Sequence, residues 1–178
     1  MNKILNEYKN HFQTSWYWAI LDTKCRYRRS IIGSFWEALN ALVLILGISM
    51  IYTAVIGSGS TLSNMAYIGL GIIFWNSMSS LINNSTEVFV NHSQHIIGSS
   101  LPLEIMSGRL ICNNIITLIH QLLLYVIGLF LLPIEISYSI LLFPLGVIIL
   151  YLNSYWVSIF LGIMCTRFRD LTLIVKNL

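Results

Sequence analysis

Charge is scarce in this sequence. Only 10% of its 178 residues are Asp, Glu, Lys or Arg, whereas soluble domains carry about 25%. Hydrophobic side chains make up 56%, and the mean hydropathy is +0.75. No charged residue occurs in 38–86, 110–133 or 136–166, and each stretch exceeds the roughly 20 residues that cross a bilayer as a helix. This scarcity excludes a water-soluble globule and indicates an integral membrane protein.

Catalytic and metal-binding motifs are also missing from the sequence. It contains no Walker-type glycine loop, no His-Glu-x-x-His zinc helix and no Gly-x-Ser-x-Gly nucleophile elbow. Its three cysteines, Cys25, Cys112 and Cys165, are too far apart in sequence to form a metal-ligand motif. We therefore expect neither an ATPase site nor a metal site in this chain.

Long apolar runs dominate what is present. The four predicted spans are 39–57, 65–83, 110–132 and 138–165. Gly-Ser repeats, a polar stretch at 84–109 and a Leu-Pro-Ile-Glu tetrapeptide separate them. A β-barrel would need alternating polar and apolar residues, which runs such as 42–46 lack. We predict an all-α polytopic membrane protein with an N-terminal segment, 1–37, before its four transmembrane helices.

The basic residues are distributed on one side of these spans. Six of the ten Lys and Arg residues precede the first span, Arg109 lies in the 84–109 loop, and three follow the fourth span. Because cytoplasmic loops retain positive charge, we expect both termini and Asn91 to be cytoplasmic and Ser60 to be external. This orientation also predicts reduced cysteines near the cytoplasmic face. It explains the net charge of +3 without a nucleic-acid partner.

The N-terminal segment shows apolar residues at near-helical spacing. This stripe comprises Ile4, Leu5, Tyr8, Phe12, Trp16, Ala19 and Ile20. We predict an amphipathic helix in the headgroup region, with Trp16, Tyr17 and Trp18 as interfacial anchors. The alternative is a soluble helix packed on the inner loops.

Polar and aromatic residues inside the spans leave two interpretations open. The polar groups are Asn76, Ser79, Ser80 and Asn83 on the second span, and Asn113, Thr117, His120 and Gln121 on the third. They either form interhelical hydrogen bonds or line a hydrated vestibule. Tyr52, Tyr67 and Trp75 are either packing or belt residues or rings that stack on sugars.

Three segments beside the spans carry a pattern of their own. Residues 22–36 read Asp-Thr-Lys-Cys-Arg-Tyr-Arg-Arg-Ser-Ile-Ile-Gly-Ser-Phe-Trp, with Arg26, Tyr27, Arg28, Arg29 and Trp36 before or at the first span. Residues 100–103 read Ser-Leu-Pro-Leu, just before the third span. Residues 162–171 read Gly-Ile-Met-Cys-Thr-Arg-Phe-Arg-Asp-Leu, and include Arg167, Arg169 and Asp170.

Together these segments resemble the membrane subunit of ABC-type polysaccharide exporters, which move capsule, O-antigen or teichoic acid chains. The three segments occur in the family's order, although Ser34 stands where relatives usually have proline. The resemblance implies a non-catalytic, multi-pass permease subunit of the bacterial inner membrane that forms a homodimer among membrane lipids. It further implies a lipid-linked polysaccharide as cargo and a separate cassette ATPase that holds ATP and Mg²⁺.

The resemblance also implies roles for individual residues. The expected ATPase contacts in the 84–109 loop are Glu87, Phe89, His92, His95, Ile96, Ile97, Leu101 and Pro102. The expected cytoplasmic entry residues are Arg26, Tyr27, Arg28, Arg29, Trp36, Arg167, Arg169 and Asp170. Relatives commonly carry Lys or Arg where this sequence has His92 and His95, so we expect weaker charged contacts to the ATPase at neutral pH.

Other functions remain as alternatives. Family members have six spans, so the four found here imply that the family's C-terminal spans are not in this sequence. One alternative is a drug or lipid exporter of the same architecture, and another is a truncated, non-transporting membrane interaction protein. An intramembrane enzyme is the least favoured, because no nucleophile, base and metal-ligand set converges in the sequence.

Overall fold

The computed structural model describes residues 2–57, 61–99, 102–130 and 143–177, whose regular secondary structure is entirely α-helical. The helices are α1 (Asn2–Arg26), α2 (Phe35–Ile56), α3 (Thr61–Ser85), α4 (Val88–Asn91), α5 (Ser93–Ser99), α6 (Leu103–Phe130), α7 (Phe143–Arg167) and α8 (Arg169–Lys176).

Four of these helices are long and apolar enough to cross a membrane. They correspond to Phe35–Ile56, Asn64–Ser85, Leu103–Gly128 and Phe143–Arg167. Many of their large apolar side chains are exposed, including Val43 and Leu152, as expected of helices that face lipid. The predicted all-α polytopic fold with four spans is therefore confirmed. The cytoplasmic location of the termini stays a prediction.

The helix boundaries differ from the predicted spans. The third span begins at Leu103 instead of residue 110, and the second continues to Ser85. The predicted 84–109 loop is therefore shorter, and we call its described part, residues 86–99 and Pro102, the coupling segment. Hydropathy locates the part of a helix that lies in lipid, whereas the helix itself extends into polar sequence. The first five residues of the predicted fourth span, 138–142, lie outside the described residues.

Helix ends are marked by glycine and by one serine. Gly57 ends α2 in the left-handed conformation, with a φ of 65°, and its N–H donates to the Thr53 carbonyl at 3.0 Å. Gly33 also has a positive φ, 62°, in the turn before α2. Ser34 follows with a φ of −67°, which is close to the value that a proline ring imposes. The serine thus keeps the backbone conformation expected of proline at this entry.

The chain divides into two compact units. Unit 1 comprises Met1–Arg26, Ser79–Asn114 and Leu141–Leu178, and unit 2 comprises Tyr27–Met78 and Ile115–Ile140. Unit 1 has a buried core cluster of Val88, Phe89, Ile105 and Met106, against which Trp18, Ile96 and Leu110 pack. The coupling segment therefore contributes to this core, together with α1 and the start of α6.

Candidate functional site

The coupling segment packs closely on α7 at Gly162. The Phe89 side chain is 6% exposed. A Cβ placed on Gly162 of α7 would lie 2.6 Å from Cε2 and 2.8 Å from Cδ2 of the Phe89 ring, and 2.9 Å from Cγ1 of Val88. These separations are too short for any side chain larger than hydrogen. Glycine at position 162 is therefore what allows α4 to sit directly on α7.

An ion pair joins the start of α4 to α8. Glu87 is the N-cap residue of α4, although its side chain makes no capping hydrogen bond. Its carboxylate instead pairs with the Lys176 ammonium. This hydrogen bond is the main reason that the pKa of Glu87 lies below its usual value. Partial burial opposes the shift, while the Lys176 charge and a hydrogen bond from Asn91 add to it. Both side chains are partly exposed, so the pair contributes less than about 1 kcal/mol.

The N-terminal helix α1 is fixed to the start of α6 by several polar contacts. The Ser15 hydroxyl donates to the Ile105 carbonyl at 3.1 Å, and Gly108 leaves the space that Ser15 needs. Arg109 donates from two nitrogens to the two carboxylate oxygens of Asp22. The Arg109 guanidinium also lies 5.0 Å from the centre of the Trp18 ring.

These contacts revise the interpretation of α1 as a helix that only lies in the headgroup region. Trp18 packs against the unit 1 core, so it is a packing residue, whereas Phe12 and Tyr17 are largely exposed. One face of α1 thus contacts the protein, as in the alternative of a helix packed on inner segments. A position in the headgroup region stays a prediction for the exposed face.

The expected ATPase contacts lie in different environments. Phe89 is buried in unit 1, because its ring fits against Gly162, and its direct contact with the ATPase stays a prediction. Ile96 is partly buried against the same core, and Glu87 is paired with Lys176. The Nδ1 atom of His92 lies 2.8 Å from the Val88 carbonyl oxygen.

The remaining expected contacts are less informative. Pro102 is exposed, and its carbonyl accepts the Ile105 N–H at 3.1 Å in the first turn of α6. His95 lies in α5, and its side chain is not described. Leu101 lies outside the described residues.

One exposed apolar residue of the coupling segment, Val90, was missed by the sequence analysis, whereas Ile97 was among the expected apolar contacts. Val90 on α4 is 51% exposed and Ile97 on α5 is 84% exposed. Each directly follows a residue that was expected to contact the ATPase. Helical geometry turns consecutive residues by about 100°, so burial of Phe89 and Ile96 directs their neighbours outward. Two adjacent apolar residues on a short helix indicate that one packs inward and the other is exposed, and the sequence contains such pairs at Phe89-Val90 and Ile96-Ile97.

The expected entry residues lie at helix ends. Arg26 is the last residue of α1, and Trp36 lies in the first turn of α2, where its side chain is exposed. Tyr27 donates a hydrogen bond of 2.7 Å to Glu37 Oε1. The exposed residues at these ends are Arg26, Arg28, Arg29, Arg167, Arg169 and Asp170. Their charges are accessible to a ligand or a membrane surface.

The three rings considered for sugar stacking are all exposed residues of unit 2. Tyr67 is 87% exposed and Trp75 is 70% exposed on α3, and Tyr52 of α2 is exposed to a smaller extent. Helical spacing places Tyr67 and Trp75 about 80° apart around α3, so both lie on one broad face. Exposure makes these rings available either to a ligand or to lipid.

Local hydrogen bonds account for some of the polar groups in the spans. Asn83 donates to Ser79 at 3.3 Å within α3. Nδ1 of His120 lies 2.7 Å from the Ile116 carbonyl oxygen, and its ring meets Phe35 edge-on, with centroids 5.0 Å apart. These contacts favour a structural role for His120.

Other polar groups connect helices or line a cavity. The Thr23 hydroxyl lies 3.2 Å from Oδ1 of Asn113, and Tyr151 donates to Asn114 at 2.8 Å. Gln121 differs, since its buried Oε1 has no partner among the described residues. Gln121 lines an apolar cavity of about 60 Å³ in unit 2, which is large enough for ordered water.

The described residues form neither a candidate metal site nor a disulfide. No group of three or more His, Cys, Asp or Glu side chains there could hold a metal ion. The three cysteines are free thiols, with Cys112 and Cys165 buried and Cys25 exposed.

The four spans and the helical coupling segment define a multi-pass α-helical membrane protein. The model of one family, the ABC-2 type transporter, matches residues 15–176. The chain belongs to this family and is a transmembrane, non-catalytic permease subunit of an ABC transporter. No curated protein and no solved structure matches the chain significantly.

Proposed function

We propose that the chain is the membrane subunit of an exporter that moves a lipid-linked polysaccharide across the bacterial inner membrane. A separate cassette ATPase binds ATP and Mg²⁺ and supplies the energy, and two copies of the permease form the conduit. The observation that carries the proposal is the contact of the coupling segment with α7, made by Phe89 and Gly162. A displacement of α4 by the ATPase would be transmitted to a membrane span through this contact.

The proposal assigns the ATPase contact to the exposed face of the coupling segment. Val90 is its exposed apolar residue on α4, and Asn91 and Gln94 are exposed polar neighbours. Pro102, at the start of α6, offers a second route for movement into a span. Phe89 and Ile96 then act inside the subunit, by connecting the contacted surface to the core.

The substrate class is supported by the motif resemblance and by exposed side chains. Arg28 and Arg29 are exposed cations between α1 and α2, and Trp36 is exposed in the first turn of α2. Cations and an aromatic ring suit an anionic lipid carrier and an apolar chain. Tyr52, Tyr67 and Trp75 would stack on sugar rings along the conduit, since an aromatic face matches the C–H face of a sugar.

The ATPase contact is tested by copurification. We expect Val90→Asp to lower copurification of the partner ATPase at least tenfold, because it places a carboxylate in an apolar contact. Gln13→Glu adds the same charge at an exposed position of α1 and should leave copurification unchanged. Equal recovery of the ATPase with both variants would show that Val90 does not contact the ATPase.

The substrate is tested by disrupting the gene in its host. We expect surface polysaccharide to disappear and lipid-linked polymer to accumulate inside the cell, with recovery on reintroducing the gene. Unchanged surface polysaccharide together with loss of drug or lipid efflux would contradict the polysaccharide assignment and favour the alternative exporter.

A further inference from the structure

An apolar groove of about 450 Å³ runs along the coupling segment in unit 1. Its apolar lining comes from Phe89, Ile96, Ile97, Leu103 and Ile163. This volume lies within the range of small-molecule and cofactor sites. Ile97 is the most exposed of these side chains, so the groove is open to its surroundings along α5.

The groove lies at the boundary of the membrane. Ile163 and Thr166 belong to the last turns of the span Phe143–Arg167, and Leu103 is the first residue of the span Leu103–Gly128. The ends of spans lie at the level of the lipid headgroups. The occupant must therefore fit both hydrocarbon and a polar, hydrated region.

A single cation stands at the polar end of the groove. Arg167 lines it and is exposed, and no carboxylate of the described ranges forms an ion pair with it. Ser93 is the other polar residue there that offers a hydroxyl, since the Thr166 hydroxyl already donates to the Gly162 carbonyl at 2.7 Å. A guanidinium beside an apolar groove is complementary to a phospholipid, whose phosphate is anionic and whose acyl chain is apolar.

We propose that this groove binds one anionic phospholipid of the bilayer, with its phosphate on Arg167 and an acyl chain along Ile96, Ile97 and Ile163. A soluble ATPase subunit fits these observations less well, because Leu103 and Ile163 belong to the membrane spans. This lipid site is separate from the proposed ATPase contact at Val90. It predicts a preference for phosphatidylglycerol over phosphatidylcholine that depends on Arg167.

The test uses the full chain in nanodiscs of phosphatidylcholine that contain a minor fraction of phosphatidylglycerol. After the chain is released from the nanodiscs, native mass spectrometry counts the lipids that stay bound to it. We expect the unchanged chain to retain one phosphatidylglycerol and Arg167→Gln to lower this preference about fivefold to tenfold. Lys24→Gln is the matched control, since it removes an exposed cation of α1 that does not line the groove and should retain the lipid.

A second variant tests the apolar part of the groove. Ile97→Trp adds bulk at its open side and should prevent retention of the lipid while Arg167 is unchanged. Thermal unfolding of each variant checks that it is folded. If Ile97→Trp does not fold, the comparison of Arg167→Gln with Lys24→Gln decides whether the groove binds the lipid.

Three results would overturn the proposal. Equal loss of phosphatidylglycerol in Arg167→Gln and Lys24→Gln would show general surface attraction, and equal retention of phosphatidylcholine would show ordinary annular lipid. Release of the lipid when the ATPase subunit is added, with Ile97 then protected from labelling, would assign the groove to the protein partner. None of these results depends on which substrate the transporter exports.

Discussion

The two units of the molecule differ in the contacts that are found inside each of them. Unit 1 contains directional polar ties, such as the Asp22–Arg109 pair and the Ser15 hydrogen bond to Ile105. In unit 2 the buried residues include Ala38, Ala41 and Ile45, and Gly69 lies against the Tyr125 ring. Segments outside the spans have little apolar length to hold them, so they need charges and hydroxyls, whereas spans in lipid associate chiefly by shape.

Breaking the polar tie of α1 should have the largest effect. Asp22→Ala would leave Arg109, whose side chain is only 14% exposed, without its carboxylate. We expect a loss of about 3 kcal/mol in the free energy of unfolding, because an incompletely solvated charge loses its partner. Chemical unfolding in detergent measures this loss. Asp170→Ala, at an exposed position, serves as the control, and equal effects of the two changes would contradict the assignment.

Enlarging Gly162 tests the steric contact within unit 1. Gly162→Ala should cost about 2 kcal/mol of stability, because the new methyl group overlaps the Phe89 ring. Gly146→Ala lies on the same helix with nothing within 4 Å and should be neutral or stabilising by up to about 1 kcal/mol. Adding Phe89→Leu to Gly162→Ala should recover part of the loss in thermal unfolding. No recovery would show that the two residues are not coupled.

The corresponding change in unit 2 should have a smaller effect. A Cβ on Gly69 would lie 2.9 Å from Cε2 of Tyr125 and 3.4 Å from Cγ2 of Ile45. A tyrosine ring edge can shift more easily than a ring packed in a core, so we expect Gly69→Ala to cost about 1 kcal/mol. Gly71→Ala meets nothing within 4 Å and is the control. A cost above that of Gly162→Ala would reverse the comparison between the units.

Protonation of Glu87 should have the smallest effect. Its folded-state pKa is lowered, so the stabilisation is fully present above the usual carboxyl pKa of 4.5 and is lost as the pH falls through the folded-state value. We expect less than about 1 kcal/mol, because both partners are partly exposed. Unfolding as a function of pH for the unchanged chain and Lys176→Gln measures it. Identical acid profiles would show that the pair does not contribute.

The spans were predictable because each is a long stretch without charge, and this property is recorded locally in the sequence. The coupling segment was harder, since α4 has 4 residues and α5 has 7, too few to show a periodic pattern. Phe89 was expected on a surface and is buried, because its environment is set by Gly162 on another helix. The Asp22–Arg109 pair was missed for the same reason, since neither residue belongs to a motif that predicts the other.

The long sequence separation across the α1 contacts has a consequence for biosynthesis. Asp22 and Arg109 are 87 residues apart, and Ser15 and Ile105 are 90 apart. At a translation rate of about 5 to 20 residues per second, α1 leaves the ribosome roughly 4 to 18 s before the residues that fix it exist. During that interval Trp18 cannot yet pack against Arg109 of α6. The nascent helix must therefore be shielded by the membrane surface or by the insertion machinery until the third span is made.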